Sequence, residues 1–333
     1  MKSLFKGAAA IALGAGVAFA GQASAAELKL GHFMSPKHPM HVGVFTPLAK
    51  KVAEESGGSL TIKIFDSGKL GRGPAAQFKR TKEGAFDIGF VIIGLESESF
   101  PRTLLAGKPG VGKTAADVAT NVWNVYDKFL KDEFKDVQVL GIWANYPSAI
   151  ISKKPIRKPS DMKNLVVRVP SKTDIPTVEA WGAKASQIPI TQTYDAFQKG
   201  TVDVVYIAPA ALYRPWNLHQ PASHVTFGIK GSAALFLLGV NKGSWNKLSK
   251  EHQALIKKHT GREFSINASK YWQRTDEFAF KQVGKQKGLE VINLTPAEAK
   301  AFDDLTDAVV KRELDEAAKG GLPAHAIFNS LIN

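Results

Sequence analysis

"KEGAFDIGFVII" (82–93) closes a helix-like run on Gly84, turns through two residues and opens an apolar strand at Asp87. "QKGTVDVVYIA" (198–208) repeats those events, with Gly200 and Asp203 in the matching places. Gly supplies the left-handed cap that ends a helix. Asp accepts backbone N–H bonds in a turn. Two such units predict two domains built alike. Around the first, "ELKLGHF" (27–33) and "SLTIKIF" (59–65) alternate as strands, and "HVGVFTPLAKKVAEESGG" (41–58) between them has helical spacing. A helix over 115–133 and the strand "VQVLGIWAN" (137–145) follow. Around the second lie a strand at 165–170, helices at 173–183 and 191–200, and a strand at 202–208. This β-α-β-α-β grammar predicts an α/β fold whose sheets are largely parallel and covered on both faces. Apolar residues at helical intervals extend from about Lys250 to Lys287, which predicts one long helix able to connect the domains. Thr295 and Glu298 form a capping-box pattern that starts the tail helix.

Residues 1–25 read as a secretory leader. Lys2 and Lys6 precede the apolar run "AAAIALGAGVAFA", and "ASA" (23–25) is a small-residue cleavage site near Ala25. That run is short and rich in Gly and Ala for a membrane span. Cleavage would leave 333 − 25 = 308 residues, enough for two ordinary domains, with a formal charge of 14 − 2 = +12. The basic residues are scattered among acidic ones, without the clustered stripes of a nucleic-acid surface. There is no Cys, which excludes disulfides, thiolate metal sites and a cysteine nucleophile.

"GKPGVGKT" (107–114) matches the phosphate-loop pattern G-x-x-x-x-G-K-[ST]. Its context does not. The nearest apolar run ends about a dozen residues earlier, and Pro109 removes an N–H from the supposed cradle. The expectation is an ordinary loop entering a helix near Thr114, with no ATP and no cofactor.

Four blocks sharpen the reading: "SPKHPMHVGVFTPLAKKVAEESGGSLTIKIFDSGKLG", "PIRKPSDMKNLVVRVP", "WGAKASQIPITQTYDAFQKGTVD" and "VNKGSWNKLSKEHQALI". In order and spacing the chain resembles the DctP-type solute-binding proteins of tripartite ATP-independent periplasmic (TRAP) transporters, over essentially the whole chain after the leader. The resemblance implies a two-domain periplasmic binding protein fold, type II-like, with an interdomain ligand cleft. It also implies a small-molecule organic acid as ligand, TRAP membrane permease subunits as partners, a periplasmic location and no enzymatic activity. On this reading domain I holds residues 26–148 plus about 236–275, and domain II holds 149–235 plus about 276–333. Strands would cross between them near 145–155 and 230–238. An ABC-type binding protein shares the cleft logic. A secreted hydrolase would need a positioned nucleophile and base, and neither a G-x-S-x-G elbow nor a supported Ser/His/Asp set occurs.

The resemblance places the ligand-gripping Arg at Arg168, within a Val-rich strand. A guanidinium there needs a partner, either an internal carboxylate or a ligand's, which it can meet bidentately. Departures from the family pattern also matter. Gln192 stands where Glu is frequent, Tyr206 and Ile207 occupy positions often polar, and "WANYPSAIISKKP" (143–155) lacks a second Arg. Trp143 and Phe236, with Phe90, Tyr213 and Trp216, lie near strand ends that face such a cleft. Loss of polar groups favours a monocarboxylate with an apolar or aromatic body. Of Tyr206 and Ile207, the strand proper points only one into the cleft. His38 and His41 are spaced i, i+3, but no further ligands make a metal site, and His38 is read as a cleft or capping residue.

Overall fold

The computed structural model describes residues 25–333; the leader lies outside them except for Ala25. In chain order the first strands are β1 (Ala26–Gly31), β2 (Leu60–Phe65), β3 (Ile88–Ile92), β4 (Val137–Ala144), β5 (Ala149–Ser152) and β6 (Val166–Val169). They continue with β7 (Lys184–Gln187), β8 (Val204–Ile207), β9 (His224–Phe227), β10 (Leu235–Asn241) and β11 (Glu290–Asn293). The first helices are α1 (Thr46–Glu55), α2 (Gln77–Glu83), α3 (Ala115–Val125), α4 (Ile175–Ala180) and α5 (Ile190–Gln198). After them come α6 (Lys242–Lys247), α7 (Lys250–Lys258), α8 (Arg262–Val283), α9 (Pro296–Lys319) and α10 (Ala324–Ile332).

Two sheets form, in the orders β2-β1-β3-β10-β4 and β11-β9-β5-β8-β6-β7. The repeated unit explains their likeness. Gly84 and Gly200 both adopt φ 76° at the ends of α2 and α5. Asp87 Oδ2 accepts the Lys29 N–H at 2.8 Å, and Asp203 Oδ2 accepts the Val166 N–H at 2.9 Å. Each Asp thus bonds the neighbouring parallel strand, rather than its own turn, and sets the register there. The expected parallel pairing holds for β1 with β2 and β3, and for β6 with β7 and β8. One strand in each sheet departs from it: β10 and β5 run antiparallel to both neighbours. These are the strands that arrive from the other half. The linker from β4 to β5 is only residues 145–148, so the chain leaves one sheet at the cleft and enters the other from the cleft side, against its neighbours.

Apolar side chains cover both faces of both sheets. Ile150, Val204 and Tyr206 pack on one face of the second sheet, while Ile151, Val205 and Ile207 pack on the other, following strand alternation.

The tract expected as one helix over 250–287 is two. Gly261, at φ 91° and ψ −146°, separates α7 from α8, and its N–H bonds the Leu140 carbonyl at 2.6 Å. Only Gly adopts that backbone without strain. α8 then docks on β4, an edge strand. Ser265 Oγ accepts the Ile142 N–H and Ser269 Oγ accepts the Ala144 N–H, each at 3.0 Å. Farther along, Asp276 Oδ1 accepts the Ala210 N–H at 2.7 Å, so α8 grips both halves.

The tail differs from the expected division. Phe302 of α9 packs with the second sheet, but Val310 and Leu314 of α9, and Ile327 and Leu331 of α10, join the core of the first. The tail returns to the first half because α9 is long enough to bridge both, and Lys108 and Glu313 pair there at 2.8 Å. In the phosphate-loop lookalike, Thr114 and Asp117 form a reciprocal capping box at the start of α3. Its Thr is spent on the helix.

Candidate functional site

The strand ends, the crossing segments and α8 converge on a cavity between the halves. The first half contributes Phe33, Phe90 and Phe236, the second Arg168 and Ile207, and α8 contributes Trp272. Its volume, ≈ 90 Å³, is several times the roughly 10–15 Å³ that admits one water. The aromatic rings form a continuous wall: Phe33 stacks on Phe90 at 6.0 Å between centroids, Phe90 on Phe236 at 5.5 Å, and Phe236 on Trp272 at 4.5 Å. No Asp or Glu lines the cavity among the described residues.

Arg168 is the charged group set against this wall. On β6, Val167 and Val169 face the core on one side, so alternation turns Arg168 to the other. It is 2 % exposed. Its Nε donates to the Ile188 carbonyl at 2.9 Å, which fixes the plane of the guanidinium. Nη1 is buried with no partner. Burial pushes the Arg168 pKa down to about 10, and Asp174 opposes the shift. The guanidinium remains a cation at neutral pH. Asp174 is itself pushed up to about 6 by burial, against bonds from Ser232 and Ser171, and makes no ion pair with Arg168. Of the two partners open to Arg168 from sequence, no internal carboxylate forms an ion pair with it among the described residues. A buried cation with an unused N–H is costly unless something anionic enters beside it.

The other polar groups are few. Asn145 Oδ1 accepts the Ala234 N–H at 2.8 Å, tying the two crossing segments and leaving its NH2 as a donor. Ser148 lies beside it on the lining. His38 is buried, its Nδ1 accepts the Met40 N–H at 3.2 Å, and burial with His32 and His41 pushes its pKa down to about 3. It is a neutral ring.

Six of the residues singled out from sequence are therefore brought together on the cavity: Arg168, Ile207, Phe236, His38, Phe90 and Trp216. Four are not, and one of them, Tyr213, lines the neighbouring surface groove instead. Tyr206 is fully buried on the opposite face of β8, against Trp181 and Phe302, and its hydroxyl accepts the Ser232 N–H at 2.6 Å. It pins a crossing segment instead of lining the cleft. Trp143 is a layer deeper, its ring behind Phe90 at 5.8 Å in the first core. Gln192 is exposed on α5, whose buried face carries Thr193 and Phe197. The apolar wall is thus Phe33, Phe90, Phe236 and Trp272, not Tyr206. Sequence reasoning missed Phe33, Trp272, Asn145 and Arg214. Trp272 shows only helical spacing, which fits core equally well. Asn145, the first residue after β4 at a crossing, carried the one usable signal.

A two-lobed α/β scaffold with a cavity at the junction, lined by aromatic rings and a buried guanidinium, is the architecture of a solute-binding protein. The chain belongs to family 7 of the bacterial extracellular solute-binding proteins (DctP), whose sequence profile matches residues 30–316. Among solved structures, it is similar to a TRAP solute-binding protein from Rhodoferax ferrireducens in complex with copurified benzoate. Identity is 23%, the TM-score is 0.87, and the match covers 92% of this chain and 96% of that one. A TRAP periplasmic solute-binding protein from Bordetella bronchiseptica with bound (R)- and (S)-mandelate is 25% identical, at TM-score 0.83 over 92% and 98% of the chains. A third, from Sulfitobacter, has bound β-D-galacturonate, at 19% identity and TM-score 0.78 over 92% and 100%. The family is one of binding proteins of transporters, not of catalysts. No described helix is long and apolar enough to cross a membrane.

Proposed function

We propose that this protein captures an aromatic monocarboxylate in the periplasm, after export on a leader cleaved near Ala25, and delivers it to TRAP membrane subunits. The observation that carries the reading is the buried Arg168, which lines an aromatic cavity and has an Nη1 without a partner. The carboxylate is received by Arg168, and the ring stacks against Phe236 and its neighbours. Both benzoate and mandelate, bound by similar proteins, are aromatic acids. The galacturonate-binding relative marks the competing class. A sugar acid brings several hydroxyls, and this wall of Phe and Trp leaves most of them without partners, at roughly 1–3 kcal/mol each. The second carboxylate of a short diacid meets the same wall. A competition series decides the matter: benzoate and phenylacetate against succinate, malate and sialic acid, at matched pH and salt. The aromatic acids are expected to win; tighter binding of any of the other three overturns the reading.

A further inference from the structure

The cavity lining holds a second polar group, which the carboxylate anchor does not use. His38 is 3 % exposed and its ring sits edge-on between Trp272, at 5.6 Å, and Trp216, at 6.4 Å. Because Nδ1 accepts the Met40 N–H, the single proton of the neutral ring is carried on Nε2. That Nε2–H meets no acceptor among the described residues, although the ring lines the cavity.

Arg214 lines the same cavity and is itself exposed. It makes no ion pair or side-chain hydrogen bond among the described residues. From it a wide surface groove continues past Pro39, Ala210 and Thr275 to Lys37 and Arg274. The cavity and groove share Arg214, so the groove adjoins the cavity. No Asp or Glu lines the groove among the described residues, so its formal charges are all positive. Asp276, packed against Ala210 nearby, has its Oδ1 committed to that residue's N–H. The lining therefore offers donors to an acceptor besides the carboxylate on Arg168.

We propose that the preferred ligand is bipolar: an aromatic acid with its carboxylate on Arg168 and a hydrogen-bond acceptor, neutral or anionic, at the opposite end of the ring. His38 Nε2–H receives that acceptor, and Arg214 adds its charge when the acceptor is an anion. The proposal rests on the aromatic-carboxylate reading above and, where the acceptor is an anion, extends it from monocarboxylates to rigid aromatic dicarboxylates. It also separates short diacids, whose second charge stays within the aromatic wall, from rigid ones long enough to reach Arg214.

Calorimetry with three probes of matched shape tests it: 4-ethylbenzoate, 4-acetylbenzoate and terephthalate. On the wild-type protein the acetyl and carboxylate probes are expected to bind about tenfold more tightly than the ethyl one, the worth of one well-made hydrogen bond. His38→Phe should abolish the acetyl preference. His38→Gln, whose amide reaches the Nε2 position, should restore part of it. Arg214→Ala should weaken terephthalate more than 4-acetylbenzoate and flatten the salt dependence of terephthalate binding. Thermal unfolding of each variant reports folding, and the exposed Arg214 position provides a test that does not disturb the core. Equal affinity for all three probes on the wild-type protein overturns the proposal while leaving the aromatic-acid reading intact. So does a preference untouched by both the His38 and the Arg214 variants. Failure of every aromatic probe, with a sugar or aliphatic acid bound instead, overturns both.

Discussion

Arg168 concentrates much of the cavity's energetic cost in one side chain. It is buried, its Nε is spent on Ile188, and its Nη1 has nothing to bond. Arg168→Ala is expected to weaken binding of the cognate acid by about 2–5 kcal/mol, because the carboxylate is left desolvated and unpaired. Arg168→Lys should recover only part of this, since an ammonium lacks the planar fork. Affinities within about threefold of wild type for both variants, by calorimetry, would remove Arg168 from the site. Asp276 is a second costly residue, of a different kind. It is fully buried, Oδ2 has no partner, and burial pushes its pKa up to about 8, with Glu277 adding to the shift. The unfolded chain releases this proton near the ordinary value of about 4. Between those values the native state holds more protons than the unfolded one, so this residue's contribution falls as pH rises from about 4 to 8. Asp276→Asn keeps the acceptor for Ala210 and removes the ionisation. Its melting temperature relative to wild type is expected to climb across that interval, and a constant difference would contradict the buried protonated acid.

Among the elements, α8 does the joining. It starts at Gly261, satisfies the free edge of β4 through Ser265 and Ser269, and ends by holding Ala210 through Asp276. The break at Gly261 aims it. No neighbouring atom would meet a side chain there, so Gly261→Ala isolates the backbone conformation from packing. Strain of about 1–3 kcal/mol is expected, read as a lower denaturation midpoint with an unchanged slope. A variant as stable as wild type would mean that α7 and α8 readily adjust their junction. The strands teach the same lesson. In β8, alternation sends Ile207 to the cavity and Tyr206 into the core, so adjacent residues with similar sequence credentials have opposite fates.

For the whole molecule, two crossing strands and a pair of bridging helices connect sheets that surround one cavity. Asn145 and Ser232 lie in the crossings and are fastened to Ala234 and to Tyr206, which limits flexing to a few backbone positions. Closure about such segments is an established binding-protein motion. In solution, adding a ligand shown to bind is expected to lower the radius of gyration by small-angle scattering. An unchanged radius would count against hinge closure.

The fold was legible because its signals are local. Helix–Gly–turn–Asp–strand, twice, encodes two similar sheets, and the capping pair Thr114 and Asp117 disarms the phosphate-loop pattern within four residues. Arg168 was legible because a cation among valines needs a partner, and the family resemblance placed it at the cleft. The rest of the cavity was not. Strand direction for β5 and β10 depends on which sheet each segment enters, and no property of their residues records that. The apolar wall is assembled from Phe33, Phe90, Phe236 and Trp272, which are dispersed along the chain and individually indistinguishable from core. Sequence alone determined which residues would be apolar, capped or charged. Only the tertiary structure decided which of them face one another across the cleft, because that is fixed by the packing of two sheets and α8, not by any neighbour in the chain.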